Sequence, residues 1–266
     1  MVSRPHLSLV PANGLGVRLR GSPTRLLVVV ALVSAAVLVL YAAARLTSLF
    51  ALTQVEVSGG SRVVKQAVRQ ATKPFIGESL VALDQDELRR RLEALPTVYS
   101  LQVDRAFPHT LRIVVVPERP LAVVRSGDEA WLVSDRARVI REAGARAVRR
   151  RVTIWASSGA SLAPGASVEE ENVRLALEAL RRLPARFPER VYSARAFDGA
   201  VTLVVSQGTE LRLGRADELA LKLAVAARVL RKIGPAERAE LAYLDVSVPE
   251  RAVGGSSLNS QLEGET

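Results

Sequence analysis

Catalysis and metal binding demand particular side chains at particular spacings, and this sequence carries few of them. It contains no cysteine and two histidines, His6 and His109. Thiolate chemistry, disulfides and cysteine-based metal or redox sites are excluded. A zinc site or a histidine-based triad in the body of the chain would rest on His109, which stands in the turn Phe107-Pro108-His109-Thr110. The patterns G-x-S-x-G, G-x-x-x-x-G-K-[ST], S-x-x-K and H-E-x-x-H do not occur. Carboxylates are plentiful, but Glu169-Glu170-Glu171 open a predicted helix, where acid complements the dipole. Asp245 lies on the polar face of a predicted strand, turned from Ala242, Leu244 and Val246. A two-carboxylate hydrolase is not tested by spacing along the chain, because its carboxylates are placed in space. No catalytic, cofactor-binding or metal-binding residue is assigned, and the residues point to a binding protein.

The net charge is +10. It is spread along the chain as +4 over residues 1–25, +4 over 26–125, +4 over 126–251 and −2 beyond. Mixed charge of this kind suits a solvated surface rather than nucleic acid. The densest basic stretch runs from Arg136 to Arg151. It reads as a basic loop before a strand, with contact to anionic lipid or an acidic partner as the alternative.

Position in the cell follows from Leu26 to Ala44, nineteen residues without charge or proline. As a helix this run spans just under the ~30 Å of a bilayer's hydrocarbon core. Arg4, Arg18, Arg20 and Arg25 precede it without an acidic residue. Positive flanks stay cytoplasmic, so residues 1–25 are expected inside as a flexible tail and the remainder outside. A cleaved signal peptide ending near Ala42-Ala43-Ala44 is the competing reading, but the run and its basic lead are both long for one.

Beyond the anchor, Leu52 to Val57 alternates like a strand, and Val64, Ala67, Val68 and Ala71 share a helical face. Asp84, three residues before Glu87, resembles a capping box opening a helix with Leu88, Leu92 and Leu95. Strands follow at Tyr99–Val103 and Leu111–Val115. Strand, helix, helix, strand, strand is a unit that buries two helices on one face of a small mixed sheet.

Within this unit Gly77-Glu78-Ser79-Leu80, then Leu92, Pro96 and Val98, Val103 and Arg105, Phe107-Pro108-His109-Thr110-Leu111 and Val116-Pro117-Glu118-Arg119-Pro120 stand in an order and spacing that resemble the POTRA domain of the bacterial FtsQ/DivIB cell-division family. Further on, Trp131 to Asp135 with Val139-Ile140 looks like the first hairpin of that family's second domain. There "D-x-x-G" is usual, and this chain has Asp135-Arg136-Ala137-Arg138. A helix through Val173, Leu177 and Leu180, strands Val201–Val205 and Glu210–Leu213, and a helix through Leu219, Leu223, Ala226, Leu230 and Ile233 follow. Leu211-Arg212-Leu213-Gly214 with Lys222 beyond, and Tyr243-Leu244-Asp245 in a last strand Leu241–Val248, are further points of similarity.

The expected architecture is α+β: tail 1–25, transmembrane helix 26–44, POTRA domain (β-α-α-β-β) 50–120, a mixed and mainly antiparallel domain 121–250, and a disordered tail 251–266. The resemblance implies a bitopic scaffold of the septum that links early and late division proteins. It implies binding to FtsB/DivIC-like and FtsL-like coiled-coil proteins and, through them, an influence on the septal peptidoglycan synthase. By position it places partner contact on the last strand and adjoining helix. Tyr243, Asp245 and Ser247 would face outward, the backbone of Leu241–Val248 including Val246 would pair, and Lys222 and Arg215 would meet acidic groups or simply be solvated. The POTRA sheet is a second candidate surface. A POTRA-bearing export component and an anchored cell-wall enzyme are the competing functions. The first would normally carry a longer barrel or partner domain, and the second needs a constellation that is not found.

Overall fold

The computed structural model describes residues 23–46, 48–157, 160 and 162–256. Most of the expected cytoplasmic tail (residues 1–22) and residues 257–266 of the expected C-terminal tail lie outside the described residues. The first element is α1, Pro23–Leu46, 24 residues long. From Thr24 to Ala43 it is apolar, and none of that span is buried against the rest of the protein. At 1.5 Å per residue α1 measures about 36 Å, enough to cross a bilayer once.

Next come β1 (Gln54–Ser58), α2 (Arg62–Thr72), α3 (Gln85–Glu93), β2 (Val98–Ala106) and β3 (Thr110–Pro117). The strand order is β1-β3-β2, with β1 parallel and β2 antiparallel to the central β3. The helices cover one face. Val64, Val68, Leu88 and Leu92 close over Leu101, Leu111, Ile113 and Val115. This is the β-α-α-β-β unit expected. The turn into α2 needs glycine: Gly59 has φ +79°, and a Cβ there would meet the Val115 carbonyl oxygen at 2.1 Å. Asp84 caps α3, its Oδ1 accepting from the backbone N–H groups of Asp86 (2.9 Å) and Glu87 (3.1 Å).

A second sheet of nine strands begins with β4 (Pro120–Ser126), β5 (Glu129–Ser134) and β6 (Val139–Glu142). Helix α4 (Ala145–Arg150), β7 (Val152–Trp155), α5 (Glu171–Arg181), β8 (Ser193–Phe197), β9 (Ala200–Val204) and β10 (Glu210–Arg215) follow. The chain then forms α6 (Leu219–Lys232), α7 (Pro235–Glu240), β11 (Leu241–Asp245) and β12 (Val253–Ser256). The order across the sheet is β12-β11-β10-β9-β8-β7-β4-β5-β6. Pairing is mainly antiparallel, with parallel pairs β4–β7, β7–β8 and β10–β11. Helices α5 and α6 bury Val173, Leu177, Leu180, Leu219, Leu223 and Leu230 in one cluster with Ile154, Leu203, Leu211 and Leu213. Each such side chain contributes roughly 1.5–3 kcal/mol. On the opposite sheet face, Ala147 and Val148 of α4 pack over Val123, Leu132 and Ile140.

The expected hairpin forms as β5–β6 without a glycine. Ala137 takes the left-handed conformation, φ 59°. The Ser134 hydroxyl supports the turn by accepting from the backbone N–H groups of Arg136 and Arg138. Both arginines point at the POTRA unit. The Arg136 guanidinium lies 3.9 Å over the Tyr99 ring and pairs with Glu118, whose side chain is fully buried. Arg138 donates to the carbonyls of Glu93 and Ala94, the last turn of α3, at 3.1 and 3.2 Å. The start of the basic stretch is thus a clamp between the two units rather than a solvated loop.

Two further departures concern the C-terminal segment. The strand expected over Leu241–Val248, β11, ends at Asp245, where Asp245 Oδ1 accepts from the Ser247 N–H and turns the chain. Residues 253–256, assigned by composition to a disordered tail, form β12.

Asp84 gives this fold an acid-sensitive point. The N–H groups of Glu87 and Asp86 hold its carboxyl below the ordinary 3.8. A depressed folded pKa contributes stability above the unfolded value that is lost as pH falls through the folded one. Wild type is therefore expected to lose more stability between about pH 5 and pH 3 than Asp84→Asn, which keeps the capping oxygen without the charge. Urea midpoints at both pH values read the difference, and equal losses would contradict it.

Candidate functional site

The elements that position the expected contact residues are β10, β11, β12 and α6. Strand β11 runs parallel to β10, with Glu210 opposite Tyr243 and Leu211 opposite Leu244. The ladder extends one residue further, the Val246 N–H donating to the Arg212 carbonyl at 2.9 Å. Leu244 and Val246 are buried in the main core. Alternation puts Tyr243, Asp245 and Ser247 on the other face, where all three are half-buried. Thr209 ties in the start of β11, its hydroxyl donating to the Leu241 carbonyl at 2.8 Å.

Tyr243 is not isolated. The Arg212 guanidinium lies 4.3 Å over its ring. Arg212 is held in turn by Glu210 at 3.2 Å, and Glu210 also pairs with Arg195. The outer face of the sheet therefore carries a stripe from Arg195 through Glu210 and Arg212 to Tyr243. Ser247 sits against Gly214, φ +62°, where a Cβ would meet the Ser247 Cβ at 2.6 Å. That contact accounts for the glycine in Leu211-Arg212-Leu213-Gly214.

Lys222 and Arg215 behave differently from each other. Lys222 is buried, its ammonium donating to the Arg215 carbonyl at 2.9 Å and pairing with the Asp217 carboxylate. Lys222 holds the Asp217 carboxyl below its ordinary value. The lysine is thus spent on fixing the first turn of α6. Arg215 is exposed at the end of β10.

The backbone of β11 is not bare. On its outer side β12 pairs antiparallel, with Tyr243 opposite Gly255, Leu244 opposite Gly254 and Asp245 opposite Val253. Strand β12 is four residues long and ends the sheet. Its glycines fit close neighbours: a Cβ at Gly255 would stand 2.4 Å from the Tyr243 ring, and one at Gly254 3.0 Å from Leu241 Cδ1. Lacking side chains there, β12 leaves a groove of about 360 Å³ between itself and α6–α7. Val229, Ile233, Leu241 and Leu244 line it, with Glu237 and Glu240 among its walls. Arg238 anchors α7 beside the groove by pairing with Glu189 and donating to the Leu230 and Ile233 carbonyls.

Among the described residues, no group of three or more His, Cys, Asp or Glu is placed to hold a metal ion. What the site offers is backbone pairing at a sheet edge, an aromatic–arginine face and an apolar groove. Arg212 enters the sequence reading only within Leu211-Arg212-Leu213-Gly214, and Asp217 and the β12 glycines carry no role there. The register that brings them together is set by long-range pairing, and the two glycines of Val-Gly-Gly-Ser weaken the strand signal that Val253 alone carries.

A POTRA unit followed by a sheet-rich unit, behind one helix long and apolar enough to cross a membrane, is the arrangement of a single-pass membrane protein with two units beyond its helix. Comparison with known proteins narrows this class. The family model for the FtsQ-type POTRA domain matches residues 50–118. The model for the C-terminal region of the cell division protein FtsQ/DivIB matches residues 122–247. The chain is 29% identical over 217 residues to the cell division protein FtsQ of Anaeromyxobacter sp. (strain K), covering 75% of this chain and 69% of that one. It is 29% identical over 205 residues to the FtsQ of Streptomyces coelicolor, covering 74% and 75%. With the FtsQ of Chloroflexus aurantiacus it shares 25% over 203 residues, covering 75% and 72%. The chain belongs to the FtsQ/DivIB family of cell division proteins.

The Tyr243–Gly255 contact makes β12 separable from the rest of the fold. Gly255→Val is expected to expel β12 while the far-ultraviolet circular dichroism of the protein stays that of wild type. Trypsin cleavage after Arg251 should then accelerate, and an unchanged cleavage rate would contradict the contact.

Proposed function

We propose that this protein is a bitopic scaffold of the division septum, with its N-terminus in the cytoplasm and residues from about 46 onward outside the membrane. It links early and late division proteins and influences septal peptidoglycan synthesis through protein contacts, with no chemical step of its own. Its direct partners are FtsB/DivIC-like and FtsL-like coiled-coil proteins. The arginines ahead of α1 favour this orientation.

One observation carries the reading. Among the described residues, the outer ladder of β11 is closed only by the short Val-Gly-Gly-Ser strand, of which Gly255 alone is buried. A longer partner strand in the place of β12 would keep the backbone pairing. It would also project a side chain into the groove at the position of Gly254, and at the position of Gly255 it would carry glycine or turn the Tyr243 ring aside. Replacement lowers apparent affinity by the fraction of time β12 occupies the edge.

The test uses the full chain in nanodiscs and the outer segment of the FtsB/DivIC-like protein from the same organism. Tyr243→Lys removes the ring and sets a second cation beside Arg212, so affinity is expected to fall by about tenfold or more with the fold intact. Truncation after Glu250, which removes β12, is expected to tighten binding. Truncation that weakens binding would mean that the partner adds outside β12, and no binding by the folded wild type would contradict the proposal.

A further inference from the structure

The arginines beyond Arg138 in the basic stretch serve neither the clamp nor the β11 edge. Arg141, Arg146, Arg150 and Arg151 line a cleft of about 630 Å³ with Pro120, Leu132 and Ala147. All four are exposed, and none forms an ion pair among the described residues. Glu142, the nearest acid in sequence, lies opposite Trp131, whereas Arg141 lies opposite Leu132, so alternation turns Glu142 to the other sheet face.

The cleft does not stop at the arginines. Pro120, Leu132 and Arg141 also line a second hollow of about 370 Å³, bounded by Val63 and Val64 of α2, Thr97, Glu118 and Ile140. The two form one groove across the junction of the units, apolar along its floor and basic at one end. At the other end are unmet polar atoms. Glu118 gives one carboxylate oxygen to Arg136, but its Oε2 is buried without a hydrogen-bond partner, as is Thr97 Oγ1. A buried carboxylate oxygen calls for a donor.

We propose that this junction groove binds an extended acidic segment of a protein partner, in which carboxylate and apolar side chains alternate. Arg146 and Arg150, four apart on α4, present side chains roughly 6 Å apart. Alternate residues of an extended chain are separated by about 6.7 Å, so two acids flanking one apolar residue match the arginine spacing. The intervening side chain then meets Leu132, Ile140 and Pro120. The apolar floor of Pro120, Leu132 and Ile140 suits a peptide's apolar side chain, which a phosphate or polyphosphate does not offer. A lipid headgroup is placed poorly as well. Gln54, just after the anchor, pairs with Thr110 at one end of β3, and the groove lies at Pro117, the other end. Those ends are roughly 23 Å apart.

The probe is a short fluorescein-labelled peptide with glutamate alternating with leucine and valine, read by anisotropy against the full chain in phosphatidylcholine nanodiscs. Saturable binding is expected, about tenfold weaker for Arg146→Glu/Arg150→Glu and for a peptide with glutamine in place of glutamate, since each change removes charge-assisted hydrogen bonds. Arg89→Glu/Arg91→Glu, a charge reversal on exposed α3, should bind as wild type, and tripolyphosphate should compete weakly. No binding, or binding that survives Arg146→Glu/Arg150→Glu, overturns the proposal. Equal loss in the α3 variant or full competition by tripolyphosphate overturns it in favour of general attraction for anions, and binding that requires phosphatidylglycerol in the disc overturns it in favour of lipid.

Discussion

An open sheet must satisfy the backbone groups of its two outermost strands, and much of the second unit is arranged around that obligation. At the β6 edge the loop before α5 meets it: the Val139 N–H donates to the Ala166 carbonyl, and the Gly165 N–H donates to the Val139 carbonyl. At the β11 edge a four-residue strand from the chain's own C-terminal segment meets it. The first closure is built from a loop continuous with the core through Val168. The second is a short strand with two glycines that buries little. On the proposed reading, that inequality makes the β11 edge the place where another chain enters.

A second constraint ties this surface to the membrane. The POTRA unit and the sheet unit are joined by Glu118 and Arg119 between β3 and β4, and the link alone would leave them free to swing. Arg136 and Arg138, projecting from the β5–β6 turn, hold Glu118, Tyr99 and the last turn of α3. Cations suit that helix end, where carbonyl groups lack partners. The same turn thus closes a hairpin in one unit and caps a helix in the other. The junction groove runs beside this clamp, so whatever fills it touches both units at once.

Much of this was legible in the sequence because the signals were local. Apolar alternation marked β2, β3, β9 and β10, the 3.6-residue period marked α2, α5 and α6, and Asp84 marked the start of α3. What was missed depends on packing and pairing that no spacing rule covers. Lys222 looks like a surface cation in sequence, yet β10 and Asp217 draw it into the fold. Val253-Gly254-Gly255-Ser256 looks like a tail, yet β11 offers it a ladder and Tyr243 leaves room only for glycine. Ala137 occupies a left-handed position that sequence rules reserve for glycine, held there by Ser134 and by the contacts of its neighbours. Strand β4 carries no clean alternation because both its faces are covered, Ala122 and Val124 in the main core and Val123 under α4.

The exchange of one edge strand for another is the central claim, and amide hydrogen exchange tests it most directly. The full chain in nanodiscs would be measured with and without the outer segment of the proposed FtsB/DivIC-like partner. Strand exchange requires the amides of Val253–Ser256 to lose protection on binding while those of Tyr243–Asp245 keep theirs. Protection that stays unchanged in both strands while the partner is bound would contradict it.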